Sequence, residues 1–525
     1  MKTLLINAKV LTGKNKFTNA VGFDSSTGSI IFAGSKEQAL RMQNEFDEVI
    51  DCKGKLVMPA FAEGHCHFIK GSFVNSQLNL REASSGKDFV NGINEFKAGN
   101  KGKWIFGGYF SDANFQEEIE LSSAFLNEIC SDTPVIISRF DSHSAFANTK
   151  ALEMSGILRQ KENFTAEEIV MDEAMNPTGE LKERAREFVL DRIPSATLKE
   201  RTDIVSDEMK KLHSFGITSI SDITLTEDIE IYKELINRND LLLRVDSRLP
   251  FQEYNNLSSY RKDFSALTDL IQFKSLKAFY DGSLSSRTAY MHSNYRNTDH
   301  NGIRTEFVNS GDFEKMFFEI DDAEYQMSVH AIGDKAVSEL LDLNEELIRR
   351  NGVKDRRFRI EHAQHIAEDD FERFRKLNVI ASVQPAHLFS DAKTSVVLLN
   401  DFSSEHNYRK LIDIGAKVCF GTDFPIVSEN PFETIYFAVT RKAAGFENGF
   451  VIENRIKIED CIEAYTMNNA YATFNENVTG NIVAGKYADI IVMRDDLFEM
   501  NEDELRDAKV SQTYFAGKKV YDSEN

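Results

Sequence analysis

The sequence predicts an α/β fold, a (β/α)8 TIM barrel carrying a small β-sandwich domain built from both chain termini and a large insertion after the first barrel strand. Three observations predict it. Between residues 58 and 477, short apolar strand-like runs alternate with amphipathic helical stretches, the pattern of a parallel sheet covered by helices. Five of those runs end at or near a residue able to bind a divalent metal. Both chain ends instead read as short strands punctuated by glycines and charges, with no room for long helices.

The first element is the N-terminal half of the sandwich, residues 1–57, with strand-like pieces at Thr3–Asn7, Gly28–Phe32 and Glu48–Asp51. Residues 478–525 repeat the style in Gly480–Met493 and Gln512–Tyr521, so the two ends are expected to join. Barrel strands are expected near Val57, Thr218, Arg244, Lys277, Val329, Arg359, Ala381 and Val418. About 150 residues separate the first two, far more than a helix and its loops need. Residues 70–190 are therefore expected to form an insertion over the barrel mouth, with its own strand at Pro134–Arg139. Thr197 and Glu200 have capping-box spacing at the start of a helix that Gly216 is placed to end. A second helix starts at Asp334, repeats Val337, Leu340, Leu341, Leu347 and Ile348, and stops at Gly352.

The five ligand-bearing stretches are Met58 to His65-Cys66-His67, Phe273 to Lys277, Gln326 to His330, Arg359 to His362, and Val418 to Asp423. In a parallel barrel all strand C-termini open on one face, so residues this far apart in sequence converge there. His65, His67, Lys277, His330, His362 and Asp423 supply nitrogen and oxygen ligands for two Zn-like ions with positions left for water. His-x-His puts two imidazoles on one side of an extended chain, and Cys66 between them points away. A lone His pair is a weak signal. Four of the eleven histidines falling in register at strand ends is not.

A protonated lysine has no lone pair and cannot bind metal. Buried and neutral, Lys277 could add carbon dioxide and become an anionic carbamate; the plain alternative is a lysine paired with Asp281 or another carboxylate. Lys274, three residues earlier, faces the other way. For Asp423 the plain alternative is a turn or cap aspartate.

This pattern resembles the amidohydrolase superfamily of metal-dependent hydrolases, and more narrowly its YtcJ-like branch, which includes N-substituted formamide deformylases. Four further stretches carry the branch resemblance: Arg139–Asn148, Pro177–Glu183, Lys277–Thr288 and His330–Asp334. One departure is Ala60-Phe-Ala-Glu63, where the family more often has Gly and Asp; Glu63 keeps the carboxylate. The resemblance implies a centre of two zinc ions, with Mn or Fe as alternatives, bridged by a carbamylated Lys277. It implies hydrolysis of a non-peptide C–N bond, of amide or N-formyl type, by a metal-bound hydroxide. Asp423 then takes the water's proton and passes it to the leaving nitrogen.

Substrate contacts are expected from Arg139, Asp141 and His143 in the insertion, and from Asp281, Arg287, Gln384 and His387 in loops after barrel strands, where ligands bind. Asp281 and Arg287 also read as a loop-ordering ion pair. His213, His292, His300, His365 and His406 join no scheme and read as surface or structural. Two rivals stand. A mononuclear deaminase usually carries Glu three residues after the fifth-strand histidine, where this chain has Gly333. A non-catalytic scaffold on the same fold usually lacks ligands that this chain keeps.

Composition bounds the partners. The net charge of −22 argues against nucleic acid, which needs clustered cations. No apolar stretch approaches the roughly 20 residues of a membrane helix. Five cysteines without a C-x-x-C fit reduced thiols, so a cytoplasmic enzyme acting on a small molecule is expected. A homodimer is compatible with this reading.

Overall fold

The structure is a computed structural model that describes all residues except 101–103, 112–114, 116–118, 142 and 525. It divides into two compact units, one formed by Met1–Gly71 with Val205–Asn525, the other by Ser72–Ile204.

Eight parallel strands make the centre of the first unit: β1 (Phe61–Cys66), β2 (Ile217–Ile223), β3 (Arg244–Pro250), β4 (Ile271–Phe279), β5 (Gln326–Ala331), β6 (Arg359–His362), β7 (Ile380–Val383) and β8 (Lys417–Phe420). Each pairs with its sequence neighbour. The seam between β8 and β1 closes through Asp423 N–H donating to the His65 carbonyl (2.7 Å) and His67 N–H donating to that of Phe424 (2.8 Å). Glycine permits this approach: a Cβ on Gly64 would lie 2.5 Å from the Phe420 carbonyl oxygen, and one on Gly421 would lie 2.5 Å from the His65 nitrogen. Because the strands are parallel, every C-terminus faces the same end.

The first strand is corrected. Val57 lies in Leu56–Pro59, a strand of the terminal domain, and the barrel begins at Phe61. Leu56–Pro59 pairs with Ile490–Met493 and Lys9–Gly13, whereas Phe61 donates its N–H to Gly216 at the foot of β2. The apolar run from Leu56 to Phe61 serves two sheets in succession, a division that hydropathy does not mark.

The terminal domain is the expected composite sandwich. One sheet orders Ser29–Gly34, Ala20–Asp24, Lys2–Ile6 and Glu48–Asp51. The other orders Lys518–Asp522, Val510–Phe515, Ile490–Met493, Leu56–Pro59, Lys9–Gly13 and Lys16–Thr18. Leu5, Val21, Phe23 and Val57 from one chain end bury against Ile490, Val492 and Tyr514 from the other. A buried ion pair ties this domain to β3, with Arg244 Nε 2.6 Å from Asp489 Oδ2 and the guanidinium 3.7 Å over the Tyr487 ring. The two helices argued from sequence form as Leu198–Ser214, with reciprocal Thr197 and Glu200 bonds, and Asp334–Asn351.

Ser72–Ile204 has its own six-stranded mixed sheet, ordered Ile169–Met171, Pro177–Lys182, Ser144–Ala147, Val135–Arg139, Ile105–Phe110 and Leu78–Asn79. Alternation along Val135–Arg139 sends Val135 and Ile137 into a core with Phe89, Phe110 and Leu126, and Ile136 into a second core with Ala145, Leu152 and Leu181. Among the described residues no helix is long and apolar enough to cross a membrane.

Candidate metal centre

The strand ends bring the six predicted ligands to one mouth. Glu63 on β1 accepts the backbone N–H groups of His65 (2.9 Å) and Thr422 (2.8 Å), locking the His-x-His strand to the segment carrying Asp423. Asp423 Oδ1 lies 3.3 Å from His65 Nε2 and 3.4 Å from His67 Nε2. His65, His362 and Asp423 each bring a ligand atom within 4.8 Å of the others. The His362 ring centre is 5.1 Å from that of His65 and 4.4 Å from that of His330. His330 Nε2 is 3.1 Å from the Gly282 carbonyl, and the tautomer that donates there leaves the Nδ1 lone pair free.

Two of the predicted ligands sit on left-handed backbone, His362 at φ 73° and Asp423 at φ 62°. Such conformations cost about 1–3 kcal/mol each and persist where the surroundings enforce them. At His362 the break interrupts the strand alternation that would turn its ring away from the face shared by Arg359 and Glu361.

Lys277 on β4 is 3% exposed, and its Nζ has no hydrogen-bond partner among the described residues. Its plain alternative, a pair with Asp281 or another carboxylate, is not formed among the described residues. The Phe279 ring lies 5.0 Å from Nζ. Burial pushes the Lys277 ammonium down to about 8, against the pull of Glu361 and Asp423. Burial, with Lys277 beside it, lowers His330 to about 3, and burial with His330 holds His362 well below the ordinary range. Burial also raises Asp423, but His65 and His67 outweigh it and keep that carboxyl ionised. Lys277 Nζ and His362 Nδ1 are thus buried atoms without a hydrogen bond, gathered with the other imidazoles around the Asp423 carboxylate. That donor set fits divalent ions.

The remaining predicted residues divide. His387 joins the centre, its Nε2 3.8 Å from Asp423 Oδ2 and its ring stacked 5.9 Å from His362. Gln384 is buried, with Nε2 donating to the Ser382 carbonyl and Oε1 unpartnered. The expected Asp281–Arg287 ion pair is not formed: Arg287 is exposed, and the Asp281 carboxylate accepts the N–H groups of Tyr290 (2.9 Å), Ile332 (3.0 Å) and Gly333 (2.8 Å). Asp281 therefore holds the loop after β4 against the end of β5. Within Ser72–Ile204, Arg139 stacks 5.0 Å over Phe146, Asp141 accepts the N–H groups of His143 and Ser144, and the exposed His143 ring lies 3.2 Å from Glu183 Oε2. His365 and His406 are buried on either side of Glu405, which also accepts from Ser395 and Gln364. A cleft of about 380 Å³ opens beside the centre, lined by His67, Lys70, Leu225, Lys277, Phe279 and Phe307.

Sequence reasoning missed Glu361, Arg248 and Arg359, all buried beneath the ligands. Burial raises the Glu361 carboxyl, but Arg359, His65 and Arg248 outweigh it and hold it well below the usual range. Their signal was present: charges at alternate positions, Asp246 and Arg248 on β3 and Arg359 and Glu361 on β6, in strands that must be buried.

The family profile described as "Amidohydrolase family" matches residues 48–521. The chain is 27% identical over 534 residues to "Protein LONG AFTER FAR-RED 3" of Arabidopsis thaliana, covering 99% of this chain and 91% of that protein. It is 23% identical over 542 residues to the N-substituted formamide deformylase of Arthrobacter pascens, covering 98% and 97%. Among solved structures, an uncharacterized metal-dependent hydrolase from Pyrococcus furiosus superposes with a TM-score of 0.74 at 25% identity, covering 95% of this chain and 100% of that one.

Proposed function

The chain belongs to the amidohydrolase family, and from that premise we propose that it hydrolyses a non-peptide carbon–nitrogen bond, of amide or N-formyl type, in a small molecule. The observation that carries the proposal is the Lys277 amine, buried without a partner at the level of four histidines and Asp423. His65, His67 and Asp423 would hold one divalent ion, and His330 and His362 a second, with zinc first among the metals this donor set takes and Mn or Fe behind it. When bound, the ions supply Lewis acidity, polarising a carbonyl and acidifying water.

The chain's own residues supply the rest. In its neutral form the Lys277 nitrogen would add to carbon dioxide and release a proton to solvent, leaving a carbamate anion that would offer oxygen ligands. Asp423, held ionised, accepts the proton of the attacking water and returns it to the departing nitrogen. His387, beside the free side of Asp423, limits where that carboxylate can turn. The cleft beside His67 and Lys277 admits the substrate, and Phe279, Leu225 and Phe307 give it an apolar wall.

The deaminase reading finds less support, since Gly333 occupies the shuttle position and its N–H is bound by Asp281. The test is turnover against a panel of N-formyl amines, cyclic amides and acylated amino acids, with metal content measured alongside. Hydrolysis of one class by metal-loaded protein supports the reading. Deamination of a heterocycle, with no amide turned over, overturns it.

A further inference from the structure

We propose that Glu361 is a positioning residue for the metal centre, fixing His65 in the tautomer that presents its Nε2 lone pair to an ion, with Arg248 and Arg359 clamping Glu361 in turn. The inference rests on the metal-binding reading of the six strand-end ligands.

Glu361 is fully buried, and its Oε2 lies 2.5 Å from His65 Nδ1. A carboxylate that already takes donors from two guanidinium groups is an acceptor toward His65, so the imidazole proton belongs on Nδ1. Nε2, which faces Asp423, is then the atom with the free lone pair. A histidine that ligates metal commonly donates its other N–H to a carboxylate, which orients the ring and raises its basicity. Here the carboxylate is itself held. Its Oε1 accepts from Arg248 Nη1 (2.9 Å) and from Arg359 Nε (2.9 Å).

Both arginines are anchored beyond Glu361. Arg248 donates to Asp246 (2.9 Å) and to Ser221 Oγ (3.0 Å). Arg359 donates to the Gly64 carbonyl (2.7 Å) and to Ser382 Oγ (2.7 Å). Asp246 also takes the Ser275 hydroxyl. The network thus ties β1, β2, β3, β4, β6 and β7 together under the ligands, in the interior where barrels ordinarily stack apolar side chains. Two arginines and two carboxylates balance in charge, so the pairing of Arg248 with Asp246 and of Arg359 with Glu361 would satisfy a purely structural plug. The short contact to a predicted ligand is the part that such a plug does not need.

The experiment compares wild type with Glu361→Gln, which keeps shape and removes the charge. Metal-stripped proteins are titrated with Co²⁺ against a chromophoric chelator, and the visible spectrum and the hyperfine-shifted imidazole N–H protons are recorded. Folding is checked by circular dichroism. The expected result is one ion bound about 10–100-fold more weakly in folded E361Q, the loss typical when the partner of a ligand histidine is removed. One exchange-protected N–H signal should also be lost or moved, with the second ion much less affected. Glu361→Asp keeps the charge opposite both arginines while retracting the carboxylate, and should weaken the same ion where E361Q does not fold. A wild type that binds Co²⁺ while the folded variants bind it equally well, with unchanged N–H signals, overturns the proposal alone. A wild type that binds no ion overturns the metal reading and the proposal with it.

Discussion

Replacing Lys277 by Met should make the metal-free protein more stable and the metal-loaded protein inactive. The amine is buried without a hydrogen bond, and burial takes it from its ordinary 10.5 to about 8. At about 1.4 kcal/mol per pH unit, that depression is a cost of about 3 kcal/mol for the protonated form in the folded chain. The sign follows from proton counts: between the two values the unfolded chain holds the proton and the folded chain does not, so stability rises with pH. The cost is therefore present in full below about pH 8 and fades as pH rises toward 10.5. Methionine has nearly the same shape and no charge to bury. In metal-free protein at pH 7, Lys277→Met should raise the melting temperature of the barrel unit by roughly 4 °C, from the entropy of unfolding a domain of this size. The gap should narrow in a scan at pH 10. Added metal should reverse the order, because wild type gains binding free energy that the variant, with at most one ion, lacks. Calorimetry of both proteins, stripped and reloaded, checks this. A metal-free Met variant that melts at or below wild type would show that the amine is paired, and would refute the reasoning.

Three further outcomes are expected. Asp423→Asn should retain bound metal but lose about 10²–10⁴-fold in kcat, because an amide cannot take the water's proton; near wild-type turnover would make Asp423 structural. Chelation should abolish hydrolysis and Zn²⁺, Mn²⁺ or Co²⁺ should restore it, read by activity and metal analysis together, with full activity in metal-free protein as the contrary result. In the Ser72–Ile204 unit, Asn148 is fully buried and its side chain accepts from Val135 and Ala151 and donates to Cys130 and Thr133. Asn148→Ala strands several of those backbone groups and should cost about 3 kcal/mol or more, seen as early unfolding or proteolysis of that unit.

The convergence of the six candidate ligands was legible because a parallel barrel converts order along the chain into proximity in space. A strand-end histidine, lysine or aspartate needs only its own short motif and the fold class to be placed. The composite sandwich was legible too, since strand-length runs without helices stood only at the two chain ends. The first barrel strand was misplaced at Val57 because an apolar run carries no mark of which sheet will take it. That is settled by partners far away in sequence, Ile491 for Met58 and Gly216 for Phe61. The same holds for roles. Asp281 looked like an ion-pair partner of Arg287, yet three backbone N–H groups claim its carboxylate, and which amides face a carboxylate depends on how the loop returns. Glu361 sits beside His362 in the sequence, but its carboxylate meets His65, 296 residues away. Residue type and periodicity, both local, determined which side chains can bind a metal and which element carries each. Only closure of the barrel decided which of them touch, because a hydrogen bond or a shared ion is formed across strands, and contact distance between strands is a property of packing rather than of either strand.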